Sequence, residues 1–170
     1  DATSLLTASV GGSFSLGQSG DPGSRAALSV GPELELRVRV LRALAFEIGV
    51  RPLDELPDEG SLVYSSRFRW SGILYLLPLD AFGLYAKAGL GGASLEDMVT
   101  FSSASNSYHF GGGVEVYLTD HLAVGSEVLF LLPGARSVVD KMMRDQAIPE
   151  LGDLVNPRNF RVALGARYYL

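Results

Sequence analysis

Two side chains with the chemistry of catalysis stand two residues apart in this chain of 170 residues: Ser107 and His109, in the run NSYHFGGG. A hydroxyl and an imidazole on one side of a strand can act as a nucleophile and the base that takes its proton. The other histidine, His121, follows Asp120 in a short turn and reads as a surface turn residue. The absence of cysteine removes thiol nucleophiles, disulfides and Cys-held metals together. No phosphate-cradling loop, metal cluster or nucleophile elbow occurs, so no metal and no cofactor are expected. A net charge of −5, 14 basic against 19 acidic residues, argues against nucleic acid as the main partner.

The elements that position these residues are strands. From Asn106 to Pro133 the even positions Tyr108, Phe110, Val114, Val116 and Leu118 are apolar, and the odd ones, His109, Gly111, Gly113, Glu115 and Tyr117, are polar, glycine or tyrosine. After Thr119-Asp120-His121 the scheme resumes with Leu122, Val124, Val128, Phe130 and Leu132 against Ala123, Gly125 and Glu127. Such period-two alternation marks β-strands, since successive side chains leave opposite faces of the pleat. Six further runs show it: Leu5 to Leu16, Ala26 to Val40, Leu44 to Arg51, Leu62 to Leu77, Phe82 to Gly91 and Phe160 to Leu170. Pro32 is expected at a bulge or near its strand's outer end, because it cannot donate to a ladder. The connections alternate long and short, which predicts eight antiparallel strands running up and down. The runs exceed the usual five or six residues and match the roughly 9–11 that a tilted strand needs to cross a bilayer.

Which face is inside follows from the charges. The odd positions hold Glu33, Glu35, Arg37, Arg39, Glu47, Arg51, Arg67, Arg69, Lys87, Glu115, Glu127, Arg161 and Arg167, and the even positions of the strands hold no charge. Lipid contact demands such a separation, because Arg or Lys at a bilayer midplane costs about 2–4 kcal/mol. The same odd face is rich in glycine, which a narrow lumen needs where a long side chain crosses it. The polar face is therefore expected inside, with five acids and eight bases paired into a plug of net charge +3. The alternative, that these charges line an ion or proton path, is kept beside it. Phe14, Phe46, Tyr64, Phe68, Trp70, Phe82, Tyr108, Phe110, Phe130, Phe160 and Tyr168 then fall on the lipid face, several near strand ends where aromatic girdles lie.

The hairpin GGGVEVYLTDHLAVGSEVLF and the closing FRVALGARYYL resemble the small eight-stranded outer-membrane barrels of the OmpA/OmpX-like family from bacteria with two membranes. The resemblance covers essentially the whole chain and rests on pattern rather than on invariant residues. It implies an all-β, eight-stranded antiparallel up-and-down transmembrane barrel, one domain over residues 1–170, in the outer membrane with both termini and the short turns in the periplasm. Family members end in a strand that the assembly machinery reads through a terminal aromatic, where this chain has Tyr168 and then Leu170. The start, Asp1-Ala2-Thr3, reads as a mature N-terminus left after processing.

Some family members are lipid A hydrolases that use a His and a Ser two apart in a strand. Here the order is Ser-x-His and the pair faces inward, away from lipid, so no enzymatic activity is expected. Residues 134–157 interrupt the strand pattern, and insertions of that length are often functional. Within them Val138, Val139, Met142 and Met143 form one apolar face of a short helix that could cover the mouth, touch the outer leaflet or dock a partner. A poorly ordered loop is the other reading. The function expected is a non-enzymatic envelope component, structural or binding through its loops. Its partners would be outer-membrane lipid and other envelope proteins. A carrier for small hydrophobic molecules is the alternative, and a lipid A-modifying hydrolase stands behind both.

Overall fold

The computed structural model describes residues 6–19, 27–51, 67–92, 107–134, 138–139, 142–143 and 159–170. Strands form where the alternation runs: β1 (Leu6–Ser19), β2 (Ala27–Val40), β3 (Leu44–Val50), β4 (Phe68–Pro78), β5 (Phe82–Gly92), β6 (Ser107–Tyr117), β7 (Leu122–Leu132) and β8 (Phe160–Tyr169). They pair antiparallel in chain order, and β8 returns to β1 to close the sheet into a barrel, as the alternating pattern predicts. Closure leaves no sheet edge with unpaired backbone groups.

The stagger of the barrel can be read from its pairs. Starting at Thr7, the cross-strand partners run Arg39, Ala45, Ile73, Lys87, Gly111, Leu129 and Arg161, and return to β1 at Gly17, ten residues beyond the start. A shift of ten residues at about 3.3 Å each, taken up over eight strands about 4.8 Å apart, inclines the strands by roughly 40° to the barrel axis. Every residue on that walk has the same parity, so one face points inward all the way round. Leu129 on that face is fully buried, whereas Phe46 on the other is 66% exposed.

Three short connections, 41–43, 79–81 and 118–121, lie at one end of the barrel and the longer ones at the other. In the first, Leu41 and Arg42 both take left-handed backbone angles, φ 58° and 53°, a region usually left to Gly or Asn. In the third, Thr119 Oγ1 accepts from the backbone N–H of His121 (3.2 Å) and of Leu122 (3.0 Å), which fixes a tight reversal. The β4–β5 register slips between Tyr75 and Leu77, and beyond this bulge Leu76, Leu77 and Pro78 are all exposed.

Four details depart from expectation or fall outside the described residues. Arg67 is exposed, because β4 begins at Phe68 and leaves Arg67 as a bend at the loop-side rim rather than as part of the bore filling. Tyr64 lies outside the described residues. Pro32 pairs with Phe14 in an unbroken β1–β2 register, beyond Leu34↔Val50, where the β2–β3 ladder ends. It therefore sits toward the loop end of β2 and not at a bulge. The short helix expected around Val138, Val139, Met142 and Met143 is not established: those four residues alone are described there, with Val139 48% and Met143 77% exposed.

Candidate functional site

The inward face of the barrel holds an interlaced set of ion pairs. Glu47 on β3 meets Arg37 of β2 at 2.6 Å, Lys87 of β5 at 2.5 Å and Arg167 of β8 at 3.0 Å. Glu115 on β6 pairs closely with Arg37 and reaches Arg167 at 3.3 Å and Arg39 at 3.5 Å. Glu127 on β7 holds Lys87 at 2.7 Å, with Arg69 and Arg161 each at 3.8 Å. Glu33 pairs with Arg69 and with Arg161 at 3.1 Å, and Glu35 with Arg167 and with Arg69 at 3.8 Å. All five glutamates are buried, as are the six cations that face them. Each acid meets cations from at least two other strands, so the pairs tie the wall across the bore as well as around it.

Arg51, also buried, donates from Nη2 to Ser29 Oγ at 2.9 Å, near the loop end. With Arg67 on the rim, the buried set comes to seven bases against five acids, a net +2 instead of +3. The inward face of β1 bears no charge: Thr7, Ser9, Gly11, Ser13, Ser15 and Gly17 make room for the side chains of the other strands. Ser13 Oγ donates to Glu35 Oε1 at 3.3 Å.

Toward the turn end the charges give way to tyrosines. The Arg39 guanidinium lies 3.8 Å from the ring centre of Tyr75, with Tyr169 at 5.5 Å and Tyr117 at 5.7 Å. This is a cation–π cage. Arg39 donates to the Tyr117 hydroxyl at 2.7 Å, and Tyr75 and Tyr169 donate to Glu115 at 3.0 and 2.9 Å. Tyr85 donates to Glu127 at 3.1 Å. Tyr75 and Tyr85 share the inward parity of Tyr117, and the alternation alone assigns the three no role. The signal that could have found them is their parity, shared with Tyr169, close to the short turns beside Arg39.

Glycines make the long crossings possible. A Cβ on Gly49 would stand 2.8 Å from Glu33 Oε1, and one on Gly89 would stand 2.8 Å from His109 Nε2. Across Gly89, His109 Nε2 reaches Ser71 Oγ at 2.9 Å. The serine that His109 engages is thus on β4, two strands away, and not Ser107. Both His109 and Ser107 are buried, and among the described residues no carboxylate hydrogen-bonds to His109. His121 is exposed in its turn, stacks on Tyr168 and donates from Nδ1 to the Tyr169 carbonyl at 3.0 Å. Between Glu35, Tyr85, Glu115, Glu127 and Arg167 a cavity of about 30 Å³ remains, room for a water molecule or two.

The outer face carries the aromatics. Phe14, Phe46, Trp70, Phe82, Tyr108, Phe110, Phe130 and Tyr168 are exposed, and Phe68 and Phe160 are half-buried. Phe110 stacks on Phe130 with ring centres 5.5 Å apart.

No protein-family model matches the chain, and no curated protein matches it in sequence. The fold does match solved structures. The chain superposes on the crystal structure of Neisserial surface protein A (NspA) over 97% of both chains, with a TM-score of 0.52 and 14% identity. Ail, the attachment invasion locus protein of Yersinia pestis, aligns over 97% of both chains at 15% identity and a TM-score of 0.45, too loose a superposition to add to the first. The likeness to NspA is one of fold: a small closed barrel.

Proposed function

We propose that the chain is an integral outer-membrane barrel with a sealed bore, a non-enzymatic envelope component that acts through its wall and its long loops. One observation carries the reading: among the described strands every charged side chain is buried inside the closed barrel while Leu, Val and Phe cover the outside. In water that arrangement would place the costliest groups in the core and expose the apolar ones. In a bilayer each face meets the solvent that suits it. The fold shared with a protein named for the bacterial surface supports the same placement, with the short turns and the termini in the periplasm and the long loops outside.

The interlaced ion pairs favour a plug over a path, since the cavity between Glu35, Tyr85, Glu115, Glu127 and Arg167 is about 30 Å³, too small for a file of hydrated ions. The His109–Ser71 bond, enclosed in the bore, favours a packing role over hydrolysis. Val139 and Met143, exposed at the loop end, are the candidate contacts for a partner. Methionine adapts to varied apolar surfaces. Refolded into liposomes, the protein is expected to insert, to resist protease within its strands and to leave conductance at background. Stable monomers in buffer without lipid or detergent would refute the reading, and conductance well above background would refute the sealed bore.

A further inference from the structure

We propose that the short turns of the barrel are embedded in the lipid interface and do not project into water, so that the leaflet on that side closes over them. The inference rests on the membrane reading above. Turns in water draw Gly, Asn, Asp and Pro, yet Leu41, Leu79 and Leu118 stand in or beside the three turns, 62%, 48% and 56% exposed. Leu41 even occupies a left-handed position, φ 58°, where Asn or Gly would be the ordinary choice.

The height of the apolar band points the same way. On β1 the outward residues Leu6, Ala8, Val10, Gly12, Phe14 and Leu16 are followed by Gln18. Ten residue steps of about 3.3 Å, inclined by roughly 40°, rise about 25 Å, the full height of the apolar band on a barrel of this kind. On β7 the outward row from Leu122 to Leu132, apolar except for Ser126, covers the same ten steps and begins directly after its turn. The band is therefore complete only if it starts at the strand ends, level with the turns. Beside the leucines stand Arg42, Asp80, Asp120 and His121, polar groups at the depth where lipid headgroups meet them.

Lipid fits as the occupant better than a protein does. The three turns join β2 to β3, β4 to β5 and β6 to β7, and so are spread around the circumference. The exposed apolar wall also runs without a break into them, from Val38 to Leu41, from Leu76 and Leu77 to Leu79 and from Val116 to Leu118, so the lipid that covers the wall reaches the turns all the way round.

Trp70 is the single tryptophan and lies exposed on the wall, so it reports on the wall alone. In a Trp70→Phe background, Leu118→Trp and Leu41→Trp are made separately and refolded into phosphatidylcholine liposomes whose acyl chains are brominated near the headgroup. Both indoles are expected to lose at least about half their emission to the brominated lipid and to be nearly insensitive to aqueous iodide. Quenching by iodide and not by brominated lipid, while Trp70 in the unaltered protein is quenched by the lipid, would overturn the proposal and leave the membrane reading standing. If Trp70 also escapes the brominated lipid, both fall. Leu79→Trp replaces either variant that fails to fold.

Discussion

Glu47 touches Arg37, Lys87 and Arg167 with its two oxygens, so neutralising it takes one anionic partner from each of three buried cations and leaves them to Glu115, Glu127 and Glu35. Breaking a buried pair from one side costs about 3–5 kcal/mol. Glu47→Gln is therefore expected to destabilise the folded barrel by about that much, read as a lower urea midpoint of the Trp70 emission in detergent micelles. Gly89 tests the packing side of the same interior: a methyl group there meets the Trp70 carbonyl and His109 Nε2. Gly89→Ala is expected to cost about 1–3 kcal/mol by overpacking and to displace the His109 ring from Ser71, a change visible in the imidazole NMR signals. The inward glutamates and arginines could be named from parity alone, because charge on one face of a strand has a single physical reading beside lipid. Their partners could not. Ser71 meets His109 only through the register of β4, β5 and β6, which local spacing does not encode, and Tyr75, Tyr117 and Tyr169, though of inward parity, show their role only once the position of Arg39 is known.

At the scale of the element, the strands were legible wherever apolar and polar residues alternate, and β7 and the turn-side ends of β2, β3 and β6 lie close to where the pattern puts them. Arg67 escaped because alternation continues past the point where the ladder ends, and a rim residue has the same parity as a lumen residue. The wall makes its own prediction. Val10 faces outward in the middle of β1 and is 51% exposed. Val10→Arg is expected to cost about 2–4 kcal/mol in a bilayer, measured by reversible unfolding from liposomes, whereas polar exchange at the neighbouring inward Ser9 carries no such depth-dependent lipid cost. The first turn offers a gain. Arg42 sits at φ 53°, and relieving a left-handed L-residue returns about 1–2 kcal/mol, so Arg42→Gly is expected to raise the unfolding midpoint.

At the scale of the whole molecule, closure was implied by the sequence and the stagger was not. Eight strands with an apolar outer face have to close, since an open edge in hydrocarbon leaves backbone groups unpaired. A shift of ten residues, by contrast, depends on how every pair of strands registers with its neighbour. That stagger brings Arg161 and Arg167 of β8 over to Glu33 and Glu35 of β2, across a β1 whose inward side is only Thr, Ser and Gly. The consequence concerns the order of assembly. The β1–β8 pairing joins the two strands farthest apart in sequence and carries the largest loop-closure cost, so it is expected to form last, with β1 entering as a neutral strip between the cationic groups of β8 and the anionic groups of β2. On that order the groups would meet before water has left the bore, where salt screens them. Raising ionic strength is therefore expected to slow the final closing phase of refolding and to leave the earlier adsorption of the chain to the bilayer unchanged.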